Sequence, residues 1–161
     1  AMKMVWPTKE LAAKHYDLPE LAARALGERT LATYAERGEK HKFSDPMEIA
    51  RDIMDRLKSY LSAGPVVAMV IEGAHAIAHI RKIRGGVNPL NADIGTITGD
   101  FSIDSYFIAD LDERAVRTLV HASGNVEEAE NEIKIWFTED EIFDFDLAIE
   151  KVLYSKAWEA E

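Results

Sequence analysis

The feature that most constrains the fold is a run of six apolar residues, VVAMVI, at positions 66–71. Gly64 and Pro65 precede the run and Gly73 follows it, and residues of these types interrupt regular structure. Because the run is partly β-branched and lacks polar alternation, it predicts a strand that is covered on both faces. Two further segments, residues 1–6 and 116–120, predict short strands.

Helices outnumber these strands. Capping residues predict where several helices begin: Thr8, Asp45 followed by Pro46, and Asn125 with Glu128 three residues later. Five or six helices with about three strands predict an α+β domain that contains one sheet. The segment at 85–104 is rich in Gly, Asn, Asp and Thr, and it predicts a long ordered loop.

Length and charge limit the classes of protein to which the chain can belong. Its 161 residues suit one domain, and the absence of cysteine excludes disulfide scaffolds and cysteine nucleophiles and fits a cytoplasmic location. The formal net charge is −10, but residues 126–161 carry 12 acids against 3 bases, so the remainder is nearly neutral. We expect no membrane segment and no binding of duplex DNA, whereas a small anion needs only a local cluster of donors.

His121 is the strongest candidate for chemistry. It follows the predicted strand at 116–120 and lies four residues before the predicted helix start at Asn125. A histidine beside a helix N-terminus is near free backbone N–H groups, which favour phosphate. Glu132 lies in the second turn of that helix, where its carboxylate can orient the imidazole. The alternatives are a hydrogen-bonded structural histidine and a solvated helix acid.

Three other groups of residues have both a functional and a structural interpretation. The segment GTITGDF at 95–101 predicts either close backbone approach to a ligand or a tight turn. The basic residues around Arg81 predict either an anion site or simple complementation of the dipole at a helix C-terminus. His75 and His79 have the spacing of metal ligands, but no third ligand accompanies them, so we predict no protein-bound metal.

In this order and spacing, the segments resemble the nucleoside diphosphate kinase family. The resemblance covers residues 1–137 and rests on KMVWPTKELAAKHY, GPVVAMVIEG, a helix ending in R-x-x-x-G, NP, GTI-x-GDF, HAS and EEAENEIKIWF. It implies a ferredoxin-like α+β fold in which helices pack on an antiparallel sheet. It also implies a helical insertion at 17–60, a second insertion at 102–114 and an acidic C-terminal extension at 138–161.

The resemblance implies a reaction as well as a fold. Family members transfer the γ-phosphate of a nucleoside triphosphate to a nucleoside diphosphate through a phosphohistidine, with Mg²⁺ on the nucleotide, and they form homo-oligomers. His121 corresponds to the nucleophile, Glu132 to the acid that orients it and Ser123 to the hydroxyl bonded to that acid. Nucleotide or phosphate binding is implied at five more positions: Tyr16, Arg81, Val87, Thr98 and Thr118.

Three of these positions depart from the family pattern. Val87 replaces a phosphate-contacting threonine, Thr98 replaces an arginine and Thr118 replaces an asparagine. The family's first strand, which is central in its sheet, and the lysine of its I-K-P-D motif have no counterpart here. Three explanations fit the missing strand and lysine. The sequence is a fragment, a partner copy or another segment supplies the strand, or the chain is a degenerate paralogue. The alternative function is therefore a non-catalytic nucleotide-binding or scaffold homologue.

Overall fold

Two antiparallel strands form the sheet in the part of the chain that the structure describes. The computed structural model describes residues 1–154, in which β1 (Met2–Val5) pairs with β2 (Val66–Met69). The α-helices of this part are α1 (Lys9–His15), α2 (Glu20–Glu36), α3 (Pro46–Leu61), α4 (Ala76–Arg84), α5 (Ile97–Phe101), α6 (Tyr106–Leu111), α7 (Val126–Trp136) and α8 (Glu150–Leu153). Short 3₁₀ helices span Pro89–Asn91 and Glu139–Glu141. The last seven residues of the predicted extension 138–161 lie outside the described residues.

The predicted capping residues begin the helices that they were expected to begin. Thr8, Asp45 and Asn125 precede α1, α3 and α7, and each side-chain oxygen accepts a hydrogen bond from a backbone N–H of the first turn at 2.9–3.1 Å. These bonds satisfy donors that a helix start leaves without an intrahelical partner. The helix starts at Thr8, Asp45 and Asn125 are therefore confirmed.

The two long helices cross closely at a glycine. A methyl group at Gly27 of α2 would overlap the backbone carbonyl of Pro46, so the helices approach to a distance that only glycine permits. Ile49 of α3 and Ala12 of α1, which packs on α3, are fully buried. Since α1 also contacts α7, this packing connects the helical pair to the helix that carries Glu132.

The prediction that the run at 66–71 is covered on both faces is wrong for the described residues. Its strand ends at Met69, and Val67 and Met69 are half exposed. They pair across the sheet with Met4 and Met2, which are also exposed. Side chains alternate between the two faces of a strand, so one face of this ribbon is apolar and open while the other lies against protein.

The prediction of a strand at 116–120 is also wrong, because this segment has no neighbouring strand among the described residues. Side chains bond its backbone instead. The Tyr60 hydroxyl donates to the Thr118 carbonyl at 2.8 Å, and the Arg117 N–H donates to the Asp104 carboxylate at 2.7 Å. Asp104 also forms a bidentate pair with Arg114, with distances of 2.6 and 3.1 Å. The segment is therefore an extended loop that leads into His121.

Helical turns occupy part of the region predicted as a long loop. Within 85–104, Pro89–Asn91 is a 3₁₀ helix and Ile97–Phe101 is α5. The Thr96 hydroxyl caps α5 by accepting from the Gly99 N–H at 3.1 Å. Five residues of GTITGDF, Ile97–Phe101, therefore form a short helix rather than the tight turn that was one of the two interpretations of this segment.

Candidate active site

Three side chains meet where the extended loop turns into α7. The Nε2 atom of His121 lies 3.1 Å from Oε1 of Glu132, and the Ser123 hydroxyl donates to the other oxygen of the same carboxylate. Glu132 reaches both partners because Asn125 caps α7 and thereby places residue 132 in the second turn, facing back toward the loop. The three residues expected to act together are thus joined directly.

This contact determines which nitrogen of His121 is free. A carboxylate only accepts hydrogen bonds, so the Nε2 atom that faces Glu132 carries the hydrogen. In the neutral imidazole, Nδ1 then holds the lone pair. The His121 side chain is 49% exposed, whereas that of Glu132 is 16% exposed. The arrangement presents a half-exposed imidazole, with a lone pair on Nδ1, that is held by a largely buried carboxylate.

Glu132 is ionised in this setting. Burial alone would raise its pKa, but the hydrogen bonds from His121 and Ser123 outweigh burial and hold the pKa of Glu132 below its usual value. The carboxylate is therefore a fixed negative charge beside the imidazole. Such a charge stabilises any state in which His121 becomes positive.

His15 and Trp136 complete the cluster, and the sequence-based reasoning missed both. The indole N–H of Trp136 donates to Nδ1 of His15 at 3.2 Å, and the His15 ring packs edge-on against His121 with ring centroids 4.8 Å apart. Nδ1 of His15 also lies 3.7 Å from Glu132 Oε1. His15 and Trp136 are separated by 120 intervening residues, so only the folded chain brings them together.

Burial and neighbouring charge change the pKa values of His15, the last residue of α1, and of Tyr16, which follows it. Burial, followed by the charge of His121, lowers the pKa of His15 to about 4, although Glu132 acts in the opposite sense. Burial, followed by Glu132 and Tyr60, raises the pKa of Tyr16 to about 12. Both side chains are therefore neutral near pH 7. Tyr16 packs against His15 with ring centroids 4.7 Å apart, so it lies one ring behind His121.

Among the five predicted binding positions, Arg81 lies close to the cluster. A methyl group at Gly124, next to Ser123, would lie 3.5 Å from a guanidinium nitrogen of Arg81. Thr118 lies three residues before His121, and its carbonyl is held by Tyr60.

The other two positions, Val87 and Thr98, are not joined to the cluster. Thr98 is fully buried in α5, and Val87 is exposed in the loop after α4. Within residues 1–154, no hydrogen bond links Val87 or Thr98 to His121, Ser123 or Glu132. Their role in binding phosphate stays a prediction.

One set of side chains in the described part of the chain has the spacing of metal ligands. Donor atoms of His15, His121 and Glu132 lie within 4.8 Å of one another. The same three residues take part in the hydrogen-bonded cluster: Nδ1 of His15 accepts from Trp136, and Nε2 of His121 bonds Glu132.

Comparison with known proteins identifies one family. The family model described as "Nucleoside diphosphate kinase" matches residues 28–142. A nucleoside diphosphate kinase of Pyrobaculum aerophilum is 40% identical over 89% of this chain and 81% of its own length, and that of Pyrococcus abyssi is 40% identical over 89% and 68%.

Solved structures give the same result. An NDP kinase structure from Pyrobaculum aerophilum superposes with a TM-score of 0.84 at 38% identity, covering 89% of this chain and 81% of that chain. A Borrelia burgdorferi nucleoside-diphosphate kinase with bound vanadate and ADP gives a TM-score of 0.71 at 29% identity, covering 94% and 76%. These structures confirm the ferredoxin-like α+β class.

Proposed function

The chain belongs to the nucleoside diphosphate kinase family, and we propose that it transfers the γ-phosphate of a nucleoside triphosphate to a nucleoside diphosphate through a phosphohistidine at His121. The observation that carries the proposal is the bond between Nε2 of His121 and the ionised Glu132 carboxylate, which leaves Nδ1 as the nucleophile. Phosphoryl transfer depends mainly on positioning and charge stabilisation, and this cluster supplies both.

In the first half-reaction, the Nδ1 lone pair of His121 attacks the γ-phosphorus. An N–P bond forms while the bond from that phosphorus to the β–γ bridging oxygen breaks, and the nucleoside diphosphate leaves with the electron pair. The imidazole keeps its Nε2 hydrogen and becomes cationic, and Glu132 balances that charge at 3.1 Å. Attack by the terminal oxygen of an acceptor diphosphate reverses these changes and restores neutral His121.

Other residues fix the geometry or bind charge. Ser123 donates to Glu132 and so holds the carboxylate in position. Arg81 lies beside Gly124, where its guanidinium can bind the non-transferred phosphates. We assign Mg²⁺ to the nucleotide phosphates, whose charge it neutralises. Tyr16, Val87, Thr98 and Thr118 complete the proposed nucleotide site.

The test is transfer of radiolabel from [γ-³²P]ATP. We expect acid-labile, base-stable label on the protein, lost in His121→Asn and released as labelled GTP when GDP is added. His79→Asn is the matched control, because His79 is an exposed histidine on α4 outside the cluster. Label that survives in His121→Asn, or no label on the wild-type protein, would overturn the proposal.

The relatives' kinase names and the joined His121, Ser123 and Glu132 favour catalysis over the non-catalytic alternative. Calorimetry with ADP separates the two functions when no label appears. A binder without kinase activity would bind ADP equally well with and without His121, and an inert scaffold would not bind it.

We also propose that the protein is cytoplasmic and assembles into homo-oligomers. The exposed apolar face of the sheet, formed by Met2, Met4, Val67 and Met69, supports self-association. Light scattering that gives only the monomer mass would refute the assembly. Among the described residues, no helix has both the length and the apolarity that crossing a bilayer requires.

A further inference from the structure

The hydrogen bond between Trp136 and His15 determines where His15 carries its hydrogen. An indole N–H only donates, so Nδ1 of His15 is an acceptor and has no hydrogen. In the neutral ring the hydrogen is therefore on Nε2. The nitrogen without a hydrogen is the one that lies 3.7 Å from Glu132 Oε1.

Glu132 Oε1 consequently has two imidazoles near it but bonds one of them. His121 donates to this oxygen at 3.1 Å, whereas His15 presents a lone pair to it. If Nδ1 of His15 gained a proton, it would become a second, cationic donor for the same oxygen. The carboxylate would then be shared, and a positive ring would stand 4.8 Å from the ring that must itself become positive on phosphorylation.

We propose that His15 and Trp136 are positioning residues: the Trp136 indole N–H keeps Nδ1 of His15 unprotonated, and this reserves Glu132 for His121. The proposal rests on the proposed function, since it concerns the carboxylate that holds the nucleophile. His15 and Trp136 act through Glu132 and need not touch the nucleotide.

The surroundings of His15 agree with a ring kept neutral. The titratable groups that face it are His121 on the loop, Glu132 on α7 and Tyr16 next to it in the chain, with Tyr60 of α3 near Tyr16. The His15 side chain is only 4% exposed. Burial and His121 disfavour its protonation, and Glu132 alone favours it. The indole N–H thus blocks the one nitrogen through which Glu132 could draw a proton.

The first experiment compares Trp136→Phe with Trp6→Phe. Trp6 is an exposed tryptophan whose indole N–H bonds the Ser62 carbonyl, so its replacement is a matched control outside the cluster. The rate of phosphohistidine formation is measured by rapid quench between pH 5.5 and 8. We expect the ratio of the Trp136→Phe rate to the control rate to be at least about twofold lower at pH 5.5 than at pH 8. The twofold loss of rate corresponds to half of the molecules having a protonated His15 at pH 5.5. If the pKa of His15 returned to an ordinary value of about 6.5, the loss of rate at pH 5.5 would be about tenfold.

The double variant His15→Phe/Trp136→Phe tests whether His15 is the titrating group. We expect the extra acid-side loss to disappear, because the phenyl ring keeps the edge contact with His121 but takes up no proton. A merely structural role predicts a rate lowered equally at all pH values. A ratio that does not change with pH, or an acid-side loss that persists in the double variant, would overturn the proposal.

A second measurement needs no variant. Nitrogen-15 shifts of His15 in the wild-type protein should show an unprotonated Nδ1 and a protonated Nε2 at pH 7. A protonated Nδ1 would refute the inference even if Trp136→Phe failed to fold. The two proposals fail separately: wild-type protein that takes no label on His121 contradicts the proposed function, whereas normal labelling without the His15 signature contradicts only this inference.

Discussion

Replacing His15 with phenylalanine should reduce the loss of unfolding free energy that the protein shows as the pH falls. Burial and the charge of His121 lower the pKa of His15 to about 4, whereas an unfolded histidine has a pKa of about 6.5. At pH values between these two pKa values, His15 binds a proton in the unfolded chain but not in the folded protein. The free energy of unfolding therefore falls as the pH decreases from about 6.5 to about 4, and His15 costs no stability above that window.

The size of the effect follows from the two pKa values. Each unit of difference corresponds to about 1.4 kcal/mol, so the full window amounts to about 3 kcal/mol, of which about 2 kcal/mol has been lost at pH 5. Solvent screening reduces this little, because the His15 side chain is 4% exposed. His15→Phe also removes the acceptor for Trp136, but that cost is the same at every pH and cancels in a comparison between pH values.

The assay is urea unfolding of the wild-type protein and His15→Phe at pH 8, 6.5 and 5. Titrating groups outside this cluster contribute equally to both proteins, so the difference between their pH-dependent losses isolates His15 together with its coupling to His121 and Glu132. We expect the wild-type protein to lose about 2 kcal/mol more than the variant between pH 8 and pH 5. Equal losses in the two proteins would show that folded His15 takes up a proton as easily as the unfolded chain.

Two further predictions concern the scaffold, each measured by urea unfolding at pH 7. Gly27→Ala should destabilise the protein by about 1–3 kcal/mol, because its methyl group meets the backbone carbonyl at the start of α3. The control Gly64→Ala, whose methyl group meets no atom within 4 Å, should destabilise it much less. Equal losses in the two variants would refute the close approach of the helices. Asp104→Asn should lower the free energy of unfolding by about 2 kcal/mol, because it breaks the bidentate pair with Arg114. Asp112→Asn removes an exposed partner of the same arginine and should lower it by less than about 0.5 kcal/mol. Similar losses in the two variants would contradict the importance of the bidentate pair.

Sequence alone predicted the parts of the fold that local chemistry decides. The helix starts were predictable from Thr8, Asp45 and Asn125, because a short polar side chain can bond the N–H groups of the turn that follows it. The Asn125 cap also sets the phase of α7, and with it the direction in which Glu132 points. The meeting of His121 and Glu132 was predictable for this reason, since residues close in sequence around a defined helix start have few ways to be arranged, whereas the bond from Ser123 was implied only by the family resemblance.

Long-range packing decided the features that sequence did not predict. Residues 116–120 have strand-forming side chains, but a strand needs a hydrogen-bonding neighbour, and in the described residues Tyr60 and Asp104 bond this backbone instead. His15 and Trp136 belong to helices at opposite ends of the chain, and each is an ordinary residue within its own helix. No local pattern marks the hydrogen bond between them.

The position of the proposed nucleophile therefore depends on side chains from several helices. A β-ladder would fix the segment before His121 through evenly repeated backbone bonds, but here the segment is held by the hydroxyl of Tyr60 on α3 and by the carboxylate of Asp104. On the other side, α7 supplies Glu132, and α1 supplies the ring that His121 packs against. Because α1 also packs on α3, a displacement of either helix changes the contacts on both sides of the imidazole. Since a misplacement of about 1 Å at a reacting group can lower a rate about a hundredfold, we expect packing between α1 and α3 to affect the reaction proposed at His121, although neither helix carries that residue.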